Sequence, residues 1–106
     1  LEELTGGDLE LGREIVGRYL SSLEEELAAL AEAHDAGDLD RLRRHAHRIA
    51  GASRTVGAHA VAASATRLEA GVGEGKELAE LEPLAAALRA AASTVDEGMA
   101  SSVHAV

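Results

Sequence analysis

Two residues four apart, His47 and Gly51, carry the most chemical meaning in this chain. They share the run His45-Ala46-His47-Arg48-Ile49-Ala50-Gly51-Ala52-Ser53-Arg54-Thr55-Val56-Gly57-Ala58, which otherwise reads as a strong helix. A glycine inside a helix costs about 1 kcal/mol relative to alanine, so stability alone argues against it. Residues i and i+4 stack on one helix face. A partner that brings its own backbone up to the imidazole would justify the missing side chain. Arg43 and Arg44 stand at i−4 and i−3 from His47, and Arg54 follows two turns later on the same side. An imidazole among guanidinium groups is suited to nucleophilic attack on phosphorus, with the arginines pairing with phosphate oxygens. The plain alternative is an ordinary surface histidine on a solvated, charged face.

The helix that must position His47 has its own inward stripe: Leu39, Leu42, Ala46, Ile49, Ser53 and Val56, in steps of three and four. His47 lies one residue past Ala46, about 100° around the helix. It therefore flanks the core and is expected to be exposed. Gly37 suits a C-cap and Asp38 the following N-cap, while Gly57 ends or kinks the helix.

Before it, Leu9, Leu11, Ile15, Val16, Tyr19, Leu20, Leu23, Leu27 and Leu30 recur at helical spacing, so a helix capped by Asp8 is expected to reach about His34. Ser21-Ser22 could bend it. After it, a helix over 58–70 places Val61, Ala65 and Leu68 inward, and Gly71-Val72-Gly73-Glu74-Gly75 reads as a turn. A last helix over about 78–99 carries the stripe Leu81, Ala85, Leu88, Ala92, Val95 and Met99. Pro83 fits its first turn if the helix starts late and kinks it otherwise. Residues 100–106 are expected to form a frayed tail. Long helices with short connections predict an all-α, antiparallel up-and-down four-helix bundle, with an extra short or bent N-terminal helix as a variant.

The composition agrees. The chain has 106 residues, suited to one domain, and its apolar set is Ala, Leu and Val with a single aromatic, Tyr19. It has no cysteine, hence no disulfide framework and no thiolate metal site. His45 and His47 are too close in sequence to share a helix face, and His34, His59 and His104 read as solvated surface, so no metal site is expected. The net charge of −9 disfavours nucleic acid and anionic membrane as partners. Between Asp38 and Val56, however, five arginines face two aspartates; that segment carries +3 and the remainder −12. No apolar run approaches the roughly 20 residues that span a bilayer, and no leader sequence is recognisable. The chain starts at Leu1, which reads as a piece of a longer protein whose other parts could reach a membrane. No phosphate-binding loop of the Walker type is present, so no ATP site is expected.

The stretch from Ala46 to Ala58 resembles the signature of histidine-containing phosphotransfer (HPt) domains, roughly A-H-x-L-K-G-[SA]-[SA]-x-x-[LV]-G-A. The flanks are similar too: Gly7-Asp8 before the first helix, Gly37-Asp38 before the histidine helix, and Arg67-Leu68-Glu69 downstream. The resemblance implies a four-helix bundle over residues 1–106. It implies His47 as phosphoacceptor through Nε2, Gly51 as clearance for a docking regulator, and Ser53 as a small seam residue. The expected partners are receiver domains, of response regulators or of a parent hybrid sensor kinase, with no nucleic acid and no direct membrane contact. The domain itself would need no cofactor, Mg²⁺ being expected in the receiver. It would be a phosphotransfer intermediate without an ATP site of its own, in the cytoplasm. One position departs from the pattern: the family commonly has Lys or Arg three residues after the histidine, and Ala50 stands there. Arg43, Arg44 and Arg54 are the candidates to compensate. Ala50 also keeps open a non-phosphorylated helical adaptor that binds a receiver or kinase, and a plain helical dimerisation module is a third reading.

Overall fold

The structure, a computed structural model, describes residues 9–105, with side chains from 10 to 94. Four helices follow one another: α1 (Leu9–Ala36), α2 (Leu39–Thr55), α3 (His59–Gly73) and α4 (Leu78–Ala105). They pack antiparallel, each against its sequence neighbours, and α4 returns to α1 to close the bundle. No strand occurs among the described residues.

All three connections use one device. Gly37, Gly57 and Gly75 have φ of 68°, 80° and 81°, a left-handed conformation that a side chain disfavours. Each is followed by the paired bonds of a Schellman turn. Gly37 N donates to His34 O and Asp38 N to Ala33 O; Gly57 N donates to Arg54 O and Ala58 N to Ser53 O; Gly75 and Lys76 repeat the pattern on Val72 and Gly71. The chain therefore reverses within a few residues, and each helix lies antiparallel to the last. Asp38 then starts α2, its carboxylate accepting from Arg41 N at 3.2 Å.

The core is mostly Leu and Ala from all four helices, with Leu30, Leu42, Ile49, Leu68, Leu81 and Leu88 the largest fully buried side chains. One polar pair lies within it: Tyr19 Oη and Ser53 Oγ share a 2.7 Å hydrogen bond between α1 and α2. Ser53 is thus a bonded partner as well as a small seam residue.

Several expectations change. Ser21-Ser22 does not interrupt α1, which runs unbroken and ends at Ala36. Leu11 and Ile15 belong to its apolar stripe but are 39% and 46% exposed, because the neighbouring α2, of 17 residues, stops short of the 28-residue α1. The extra N-terminal helix and the Asp8 cap fall outside the described residues. Helix α3 continues through Gly71 to Gly73, so the turn is only its last part. Gly71 is buried because α4 crosses closely there: an added Cβ would stand 3.0 Å from Leu81 Cδ2 and 3.1 Å from Leu84 Cδ1. Helix α4 begins at Leu78, which puts Pro83 in its second turn, and its backbone stays helical to Ala105 rather than ending near Met99.

Candidate functional site

Helix α2 sorts its side chains by angle. Leu42, Ala46, Ile49, Ala50 and Ser53 face the core. His45 turns towards α1, and His47 stands at the α3 edge with 71% of its side chain exposed. The two histidines are tied to opposite neighbours. His45 Nδ1 lies 2.6 Å from Glu26 Oε1 on α1, and Arg48 Nη1 reaches the other oxygen of Glu26 at 3.9 Å. His47 Nδ1 lies 2.9 Å from Glu69 Oε2 on α3.

The Glu69 contact fixes what His47 can do. An ionised carboxylate only accepts hydrogen bonds, so Nδ1 carries the proton and donates it. A neutral ring then has its lone pair on Nε2, the nitrogen that points away from the tie. The exposed ring is therefore tied to α3 through Nδ1, with Nε2 directed away from that contact. Glu69 is the site residue that sequence reasoning passed over. Its signal was present in the Arg67-Leu68-Glu69 run: Leu68 is fully buried, so Glu69, one residue on, flanks the core face of α3. Pairing Glu69 with His47 needs the register of the two helices, which no local spacing supplies.

The expected neighbours divide. Gly51 is exposed, and an added Cβ there would meet nothing within 4 Å, so the fold leaves an open notch one turn from His47. Ala50, by contrast, is fully buried in the core. A long cation at this position would have to emerge from packed surroundings. Arg54 lies exposed beside the notch, its Nη2 donating to Thr66 Oγ1 on α3 at 2.8 Å. Arg43 is exposed on the other side of His47, with its guanidinium 3.9 Å from where a Cβ on Gly73 would stand. Arg44 is exposed too. Three α2 side chains thus lie along the α3 edge: Arg43 near Gly73, His47 on Glu69, and Arg54 on Thr66.

Of the remaining histidines, His59 is exposed as expected. His34 is not: its side chain is only 17% exposed and its Nε2 lies 3.4 Å from Glu82 Oε2 without hydrogen-bond geometry. His104 lies outside the described side chains. Among the described residues no cluster of His, Asp or Glu could hold a metal ion, and no helix is long and apolar enough to cross a membrane. A groove of about 270 Å³ between α1 and α4, lined by Leu20, Leu23, Leu27 and Ala92, includes none of the residues around His47.

Comparison with known proteins gives one match. The protein-family profile described as Hpt domain matches residues 14–98. Searches of curated proteins and of solved structures each returned no match.

Proposed function

The chain belongs to the Hpt domain family, whose members carry out histidine phosphotransfer in phosphorelays, and from that premise we propose that His47 is the relaying residue. It takes a phosphoryl group from an aspartyl phosphate of one receiver domain and passes it to an aspartate of another. Domains of this family interact with receivers, which fits a reaction needing two aspartates that this chain does not supply. The observation that carries the reading is the His47–Glu69 pair: a well-exposed imidazole whose Nδ1 is engaged and whose Nε2 meets no partner among the described residues.

The step follows from that geometry. The Nε2 lone pair attacks phosphorus, the N–P bond forms, and the bond from phosphorus to the aspartyl oxygen breaks, returning the donor carboxylate. The ring gains positive charge as Nε2 is phosphorylated, and Glu69, still accepting from Nδ1–H, offsets it. No proton has to leave. Onward transfer reverses the sequence on a second carboxylate. The receiver supplies the acidic residues and the Mg²⁺ that neutralises phosphoryl oxygens, so this domain's share is proximity and orientation. Gly51 admits the receiver's backbone next to the imidazole. Arg43, Arg44 and Arg54 give a negatively charged chain a local positive surface that suits the receiver's acidic pocket. A cytoplasmic setting agrees with this chemistry.

The test is transfer from a ³²P-phosphorylated receiver, with Mg²⁺, to the wild-type chain and to His47→Gln. Acid-labile, base-stable label on the wild type alone supports the relay. Receiver binding without label on either chain favours the adaptor reading instead.

A further inference from the structure

The position at which the family commonly has a cation is a buried alanine, Ala50, while Arg54 is exposed and reaches Thr66 on the α3 edge where His47 also stands. It lies seven residues after His47, about 10.5 Å along α2 and on nearly the same face. Its anchor Thr66 lies three residues before Glu69, only about 4.5 Å along α3. The two cross-links therefore differ in axial spacing by about 6 Å, which the four side chains take up between them, with the long Arg54 side chain free to lean towards His47, the direction that helical side chains favour. That course runs beside Gly51, where no side chain obstructs it. The head group ends about one helical turn from the His47–Glu69 contact.

Its charge is also uncommitted. Arg18, Arg48 and Arg89 are paired with Glu14, Glu26 and Glu82, whereas the partner of Arg54 is a neutral hydroxyl, and no carboxylate pairs with it among the described residues. Thr66 holds the guanidinium without neutralising it and leaves most of its five N–H donors free. Arg43 and Arg44 have no such anchor among the described residues.

We propose that Arg54, pinned by Thr66, binds the oxygens of the phosphoryl group on His47 Nε2 in place of a cation at position 50. The proposal rests on His47 being the phosphoacceptor. Its N–H groups donate to the non-bridging oxygens as the N–P bond forms, while the donor's leaving group departs on the opposite side.

A small phosphodonor tests this without any receiver. Phosphoramidate transfers its phosphoryl group to imidazole and releases ammonia. Phosphohistidine is followed by ³¹P NMR in the wild type, Arg54→Ala, Arg54→Lys, Thr66→Val and the distant control Arg89→Ala. Arg54→Ala should form phosphohistidine more slowly, by about fivefold for one charge-assisted contact in a solvated site. Thr66→Val should fall between it and the wild type, Arg54→Lys should recover part of the rate, and Arg89→Ala should match the wild type. Thermal midpoints of all five should agree, which separates phosphoryl binding from a structural role. Equal rates for wild type and Arg54→Ala overturn the proposal and leave the His47 assignment intact. A normal rate for Thr66→Val beside a slow Arg54→Ala overturns the anchoring. No phosphohistidine on the wild type overturns the His47 reading and this one with it.

Discussion

Replacing Gly51 with alanine should make the protein more stable and the relay slower. Residue 51 is helical and exposed, and its added methyl would meet nothing within 4 Å. Nothing in the fold offsets the intrinsic penalty of a helical glycine, so the substitution should recover the full difference of about 1 kcal/mol. In a domain of this size that raises the thermal midpoint by about 4–8 °C. The same methyl stands where the reading puts the approaching receiver. Crowding a fitted surface costs about 1–3 kcal/mol, which corresponds to roughly a 5- to 150-fold loss of transfer from a receiver, larger for Gly51→Gln. Gly12→Ala supplies the control, since a Cβ on that α1 glycine also meets nothing within 4 Å. It should stabilise similarly and leave transfer untouched. The assay pairs circular dichroism melts with receiver-dependent and phosphoramidate-dependent phosphorylation of each variant. Only the receiver-dependent rate should fall. A melting midpoint that does not rise would refute the claim that the fold makes no use of the space, and an unimpaired receiver rate for Gly51→Gln would refute the clearance role.

Gly71→Ala should act in the opposite sense on stability: its Cβ would crowd Leu81, Leu84 and Lys76 at 3.0, 3.1 and 3.3 Å, so overpacking outweighs propensity and the net loss is about 1 kcal/mol, measured by urea titration; a gain would contradict the close α3–α4 crossing. Tyr19→Phe leaves the fully buried Ser53 hydroxyl without its partner and should cost about 1–3 kcal/mol, much of it restored by adding Ser53→Ala; additive losses in that double-mutant cycle would argue against the bond. Burial raises the Tyr19 phenol above 10.0 against the smaller opposing effect of the Ser53 hydrogen bond, so the unfolded phenol ionises first. The stability it contributes is complete below about pH 10 and is lost as pH rises through the folded pKa; Tyr19→Phe should flatten that alkaline decline in chemical denaturation curves. Glu69→Ala frees the His47 ring to take either tautomer and should slow phosphorylation by about tenfold, with Glu69→Gln intermediate because its amide oxygen can still accept from Nδ1–H; equal rates for all three would remove Glu69 from the mechanism.

What could be read from the sequence was what depends on neighbours along the chain. The stripe Leu42, Ala46, Ile49 and Ser53, the Asp38 cap and the Gly37 and Gly57 turns all follow from local spacing, and together they expose His47. Partners across helices could not be read in that way. Tyr19 with Ser53, Glu26 with His45, Glu69 with His47 and Thr66 with Arg54 each depend on how two antiparallel helices are set against each other. Periodicity also says nothing about where a neighbouring helix stops, which is why Leu11 and Ile15 look like core residues and are exposed. Ala50, beside the stripe rather than on it, is fully buried, and that too depends on how the neighbouring helices pack against α2.

The two α2 histidines, two residues apart and bound to opposite neighbours, have a spectroscopic use. Each presents an Nδ1–H engaged by a carboxylate, one from Glu26 of α1 and one from Glu69 of α3. Their imidazole ¹⁵N resonances therefore watch two different helix seams from one helix, with no label added beyond nitrogen. Phosphorylation should displace the His47 signals and leave those of His45 where they were. A receiver that also strains the α1–α2 seam on docking would move the His45 signals before any phosphoryl group changes hands, so the domain carries its own reference beside its own reporter.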